Sequence, residues 1–170
     1  MKTLVIHPKD STTDFLCEIY SDKDWTVINT NISKKLLKDK IKSHDRVVML
    51  GHGTEKGLLG FDKYVIDSAL VYLLREKICV CIWCNADEFV KKYGLKGFYT
   101  GMIISEYEEA VICCISTNSQ RIAESNTDFA LTIKNSIDEE NMLEKVKLFY
   151  KGNSSVVEFN RNNFYYEALL

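Results

Sequence analysis

Two apolar runs, at 47–50 ("VVML") and 78–83 ("ICVCIW"), show no alternation of polar and apolar residues, and each ends abruptly in polar sequence. A strand that is apolar at every position is covered on both faces, which marks a central strand of a parallel sheet. Segments with helical spacing surround these runs: Leu36, Leu37 and Ile41 follow Ser33, and Leu70, Leu73 and Leu74 follow Asp67. A polar N-cap ahead of such a face is a helix start. Strands alternating with helices predict an α/β fold, because right-handed crossovers return each strand to the same direction and put helices on both faces. The expected architecture is a single-domain three-layer sandwich with a mostly parallel sheet. With 170 residues, one proline and eight glycines, there is little room for a linker, and one domain over 1–170 is expected.

The remaining elements follow from the same patterns. Residues 4–6 read as a first strand, Thr12, Thr13 and Asp14 as the cap of a short helix, and 25–28 as a second strand. Residues 57–60 and 64–66 read as a hairpin turning near Asp62 and Lys63. Asn85 or Asp87 is expected to cap a short helix that Gly94 ends. A fifth strand is expected over 98–104, a sixth within 111–116, helices over 119–136 and 139–151, and a last strand over 156–159.

Charge and composition exclude several classes. A net charge of -2 provides no basic face for duplex nucleic acid. No stretch approaches the roughly 20 apolar residues that cross a bilayer, and the first ten residues are too poor in apolar side chains for a secretory signal. The expectation is a cytoplasmic protein that engages no membrane. Cys79 and Cys81 alternate within an apolar strand, which aims both at one face as core residues. Cys81 and Cys84 form a C-x-x-C, but no second pair follows at zinc spacing, so no metal and no cofactor is expected.

In open parallel sheets ligands sit beyond the carboxyl ends of the strands. That rule singles out 7–14, 52–54, 84–87 and 105–109. His52 ends one apolar strand and Cys84 another, so neighbouring strands bring both to one rim. A thiol needs a base nearby to become a nucleophile, and a histidine brought across space commonly supplies it. Ser105 with Glu108 reads as a capping box.

"RVVMLGHG", the hairpin "GLLGFDKYVI", the helix "DSALVYLLREK" and "ICVCIWCNAD" stand in an order that resembles the caspase-like cysteine peptidases, the group that includes metacaspases, clostripain-like enzymes and CHAT domains. The resemblance implies a caspase-like fold and a cysteine endopeptidase with His52 as acid or base and Cys84 as nucleophile. The backbone N–H groups of Gly53 and Cys84 would then form an oxyanion hole. Asp10, Asp87, Glu106 and Glu109 fall on the same rim, and clustered carboxylates favour a peptide or protein substrate with Lys or Arg beside the scissile bond.

A second expectation needs no turnover. The loop from His7 through Asp10, Ser11 and Thr12 to Thr13 places hydroxyls and backbone N–H groups at a helix start, a pattern that suits an anion, with His52, Ser105, Glu106 and Glu109 completing the lining. On that reading the chain is a receptor or scavenger of a small nucleotide-like ligand. The oligomeric state is not legible from the residues.

Overall fold

The computed structural model describes residues 1–168. In chain order the elements are strand β1 (Thr3–Ile6), a 3-10 helix (Asp14–Tyr20), β2 (Thr26–Ile28), helix α1 (Lys34–Lys42), β3 (Arg46–Leu50), β4 (Gly53–Thr54), β5 (Gly57–Gly60), β6 (Lys63–Ile66), a 3-10 turn (Ser68–Leu70) running into α2 (Val71–Leu74), β7 (Ile78–Ile82), α3 (Ala86–Tyr93), β8 (Lys96–Thr100), α4 (Tyr107–Ile112), α5 (Ser119–Ser136), α6 (Met142–Phe149), α7 (Ser155–Asn162) and β9 (Phe164–Glu167).

Six strands form the main sheet in the order β2-β1-β3-β7-β8-β9, and β4, β5 and β6 form a separate small antiparallel sheet. The first five strands are parallel, while β9 pairs antiparallel with β8 through Phe98 with Tyr166 and Thr100 with Phe164. Chain direction across the sheet reverses beside β1, since β2 lies on one side of it and β3 on the other.

The pleat sorts the core into two layers. Leu4, Ile6, Val47, Met49, Cys79 and Cys81 face α1, α2 and α3, meeting Leu37, Ile41, Leu73 and Phe89. Val5, Val48, Leu50, Val80 and Ile82 face the opposite layer, where Leu16 and Ile19 of the first 3-10 helix join Phe129 and Ile133 of α5 and Val146 of α6. All five residues of β3 are buried, as its unbroken apolar run requires. Ser33 accepts the Leu36 N–H and Asp67 the Ala69 N–H, so both helix starts are capped as expected. Gly94 ends α3 in the left-handed conformation at φ 65°.

Several local expectations are corrected. The fifth strand, β8, ends at Thr100 and does not reach 104, and Asn85 precedes α3 at φ 65° with no side-chain cap hydrogen bond while Asp87 lies inside the helix. The stretch 111–116 is no strand: α4 runs to Ile112 and the chain then turns, with Cys114 at φ 55°. The stretch 156–159 lies inside α7, whose Ser154 cap accepts the Val157 N–H, and the last strand follows it as β9. The start of the first 3-10 helix takes no side-chain cap from Thr13; Asp10 instead turns its carboxylate onto the Thr12 N–H. Among the described residues no helix is long and apolar enough to cross a membrane, and no His, Cys, Asp and Glu group is arranged to hold a metal.

Candidate functional site

β1 and β3 both end at the rim where the sheet order reverses. After β1 the chain turns through Pro8 to Thr13; after β3 it passes Gly51 and His52 and folds back as the hairpin β5–β6. The hairpin lies directly on the β1 loop, because a side chain at Gly60 would run into Pro8. A two-residue turn joins β5 to β6, and both of its residues are left-handed, Phe61 at φ 55° and Asp62 at φ 61°. Paired positive φ values suit the twist of a tight hairpin, but a bulky residue such as Phe61 rarely adopts them and holds this conformation at an energetic cost. Loop and hairpin together enclose a cleft of about 520 Å³ lined by Lys9, Asp10, His52, Phe61, Asp62, Lys63 and Tyr64.

The polar core of this cleft is a hydroxyl held between a carboxylate and an imidazole. Asp10 Oδ1 accepts from the Thr12 N–H at 2.9 Å and from the Thr12 hydroxyl at 2.7 Å. With the hydroxyl proton directed to Asp10, the Thr12 oxygen accepts from His52 Nε2–H at 2.6 Å. His52 Nε2 lies 4.0 Å from Asp10 Oδ1. The bonds from Thr12, aided by the nearby imidazole, hold the Asp10 carboxyl below its usual range and keep it ionised. Glu106 senses the same imidazole, yet burial and the adjacent Glu109 raise its pKa.

Cys84 has a different environment. Its thiol donates to Ile103 O at 3.5 Å and to Glu109 Oε1 at 3.4 Å. Burial first, and then the Glu109 charge, push the thiol up to about 12, so it is protonated at neutral pH and is no nucleophile. Glu109 is fixed there because its other oxygen accepts the N–H groups of Ser105 and Glu106 and the Ser105 hydroxyl. The capping partners at this helix start are thus Glu106 and Glu109, one position beyond the Ser105 and Glu108 expected. No hydrogen bond joins His52 to Cys84 among the described residues: one ring nitrogen is spent on Thr12, and the thiol points to a carboxylate. Gly53 pairs with Leu58 in the small sheet, and a side chain at Gly53 would collide with the Trp83 ring. Its missing Cβ therefore serves packing.

The other rim residues divide. Thr12 and Asp10 join His52, whereas His7 and Thr13 turn inward and are 2% and 3% exposed. Ser11 is exposed on the loop, and Asp87 pairs with Lys91 at 3.1 Å along α3. Phe61, Lys63 and Tyr64 escaped the reading of the residues, since nothing local to a hairpin says which loop it folds onto.

Burial holds the pKa of His7 below the ordinary 6.5, the charges of Asp14 and Asp10 opposing this only in part. An unfolded chain takes up a proton near pH 6.5 that the folded protein refuses. The stabilisation is therefore complete above about pH 6.5 and declines as pH falls towards the folded-state value. The midpoint of urea unfolding should drop between about pH 7 and pH 5.5, and His7→Asn should flatten that slope; a wild-type midpoint constant across the window would refute it.

No family model matches the chain, and no curated protein matches it. Among solved structures it is similar to a flavodoxin from the domain Archaea, with 13% identity over 79% of this chain and 99% of that one and a TM-score of 0.40. It is also similar to a flavone reductase, with 15% identity over 84% of this chain and a TM-score of 0.42; the chain spans 65% of that protein. With Cys84 protonated against Glu109 and without a hydrogen bond to His52 among the described residues, the expected caspase-like family, the peptidase activity and the hydrolase class are corrected. The nucleotide-like alternative is corrected too, because Asp10 already occupies the place at the Thr12 N–H where a phosphate would sit. What the structure shows is a single α/β domain built on a mostly parallel sheet.

Proposed function

We propose that the chain binds a small zwitterionic molecule, of the free amino acid or peptide-terminus class, in the cleft between β1, β3 and the hairpin. The observation that carries this reading is the balanced lining of the cleft: two lysines, Lys9 and Lys63, two carboxylates, Asp10 and Asp62, and the aromatic residues Phe61 and Tyr64. Asp10 takes the ligand ammonium, the aromatic faces add cation–π attraction, and the lysines take the carboxylate. The volume lies within the range usual for small-ligand pockets, and the strained Phe61 backbone is the kind of feature that collects at ligand clamps.

The parallel strands follow the flavodoxin-like order, in which ligands sit at the point beside the first strand where the order reverses. Flavodoxin-like is accordingly the finer fold class we propose. An FMN phosphate, however, needs free N–H groups in the β1 loop. Here the Thr12 N–H is given to Asp10 Oδ1 and the Thr13 N–H to Asp10 O. The residues present do not fit that group.

Calorimetric titration of the purified protein with the standard amino acids, with their amine-only and carboxylate-only analogues, and with FMN tests the reading. A zwitterion should bind while both single-charge analogues bind about tenfold more weakly, and Asp10→Asn should cost about tenfold, near the value of one charged hydrogen bond. Failure of every amino acid to bind at about 10 mM would overturn the proposal. So would FMN binding that Asp10→Asn strengthens.

A further inference from the structure

The pairing of imidazole with thiol that this chain does form lies beneath the β1 loop, on the other side from His52. His7 Nδ1 is 2.9 Å from the Tyr20 hydroxyl, and Cys17 Sγ is 3.2 Å from the same oxygen and 3.8 Å from His7 Nδ1. The Tyr20 ring meets the His7 ring edge-on at 5.9 Å, which fixes both. On its far side His7 Nε2 is 3.2 Å from Thr13 Oγ1.

The direction of every proton in this chain follows from its end. Thr13 Oγ1 donates to the Asp10 backbone carbonyl at 3.2 Å, so its oxygen has only lone pairs left for His7. His7 therefore carries its proton on Nε2 and donates it to Thr13, which leaves Nδ1 as an acceptor. Nδ1 accepts from the Tyr20 hydroxyl, and the Tyr20 oxygen in turn accepts from the Cys17 S–H. The order of donation is Cys17 to Tyr20 to His7 to Thr13 to the backbone. The imidazole is neutral near pH 7, so Nδ1 keeps its lone pair for a proton, although burial makes it a weaker base than a solvated histidine. The charges of Asp14 and Asp10 offset part of that burial and favour the imidazolium while it carries the proton.

Cys17 is also reachable. It is half-buried and lines a cleft of about 570 Å³ between the first 3-10 helix and α5, with Asp14, Phe15, Glu18, Thr127 and Leu131. Among the other thiols, Cys79 and Cys81 are buried, Cys84 is held protonated by Glu109, half-buried Cys113 is also pushed up by burial and Glu109, and Cys114 is exposed. None of these five has a hydrogen-bonded path to an imidazole among the described residues.

We propose that Cys17 is a site of thiol–disulfide exchange, activated through Tyr20 by His7, and that its co-reactant is a small cationic disulfide. In the step, the Cys17 proton passes to the Tyr20 oxygen as the Tyr20 proton passes to His7 Nδ1. The Cys17 sulfur then attacks one sulfur of the disulfide, its S–S bond breaks, and a mixed disulfide forms on Cys17. The departing thiolate takes back the proton from the imidazolium through Tyr20. One disulfide is exchanged for another, so no further oxidant or reductant is consumed. A cationic partner is favoured because the Asp14 carboxylate lines the cleft with no ion pair among the described residues, whereas that of Glu18 beside it is taken by Lys134 at 2.7 Å.

The test is timed reaction of the whole protein with cystamine at neutral pH, followed by mass spectrometry of the cysteine-containing peptides. Cys17 should form the mixed disulfide at least about tenfold faster than exposed Cys114, a gain at the low end for a positioned base. Tyr20→Phe keeps the ring packing and removes the relay oxygen; it should slow Cys17 by about tenfold and leave Cys114 unchanged. Cys84 should stay slower than both. A Cys17 rate no greater than that of Cys114, or a Cys17 rate indifferent to Tyr20→Phe in the folded protein, would overturn the proposal. Labelling of Cys79 and Cys81 reports a variant that has not folded, and the wild-type ratio of Cys17 to Cys114 then decides alone.

Discussion

Trp83→Ala should lower the free energy of unfolding by about 3–5 kcal/mol, the usual cost of emptying a large aromatic site in a packed interior. Trp83 is fully buried. Its ring meets Phe89 of α3 edge-on at 5.8 Å, and the backbone at Gly53 approaches it so closely that no side chain fits between. The indole N–H donates to Thr54 O at 3.0 Å. One side chain thus ties the end of β7 to β4, the strand that leads into the hairpin carrying Phe61 and Asp62. Trp83→Phe retains most of the volume but strands the Thr54 carbonyl, and should cost about 1–3 kcal/mol. Urea unfolding of the two variants measures both. A loss below about 1 kcal/mol for Trp83→Ala would show that the hairpin can repack without this anchor. If the hairpin forms the proposed site, Trp83→Phe should also weaken zwitterion binding.

The second large effect is expected at Asn160. Buried at 4% exposure on α7, it accepts the Ile104 N–H at 2.7 Å and donates to the Ile104 carbonyl at 2.9 Å, satisfying both groups of one peptide position. The same amide lies 3.2 Å from the Tyr150 hydroxyl, which bonds Ser125 at 2.6 Å. Asn160→Leu matches the volume and supplies no partner. Two buried backbone groups are then orphaned at about 1–3 kcal/mol each, for a total of about 2–6 kcal/mol. The damage should concentrate in the segment before α4, which positions Glu106 and Glu109. Hydrogen exchange of the Ile104 amide would report it: protection there should fall further than in β3. Unchanged stability would mean that water reaches Ile104 and replaces the asparagine.

Much of the sheet was legible because it is written in nearest-neighbour patterns. Val47 to Leu50 is apolar at every position, and β3, like β1, is buried along its whole length. Cys79 and Cys81 alternate, and both lie in the layer under α1 to α3. Ser33, Asp67 and Gly94 act within one turn of their own positions.

Failures came where distant contacts outweigh local preference. Val156 and Val157 are β-branched and read as a strand, yet on α7 Val157 enters the layer shared with Phe129 and Val156 the small cluster around Ile104 and Ile122. Burial on one helical face outweighs their modest strand preference. At the rim, His52 and Cys84 do end neighbouring strands, as β3 pairs with β7. Adjacency did not make them partners, because the β1 loop brings Thr12 to the histidine and α4 brings Glu109 to the thiol.

The residues by themselves determined the alternation of strand and helix, the two-faced burial of the central strands and the helix caps, since each depends on periodicity or on a side chain reaching its own backbone. Only the tertiary structure decided which polar groups meet: Asp10 with Thr12 and His52, Cys84 with Glu109, and Cys17 with Tyr20 and His7. Those meetings depend on where loops of different strands come to rest on one another, and side-chain chemistry at the rim follows from that packing rather than from the order of residues along the chain.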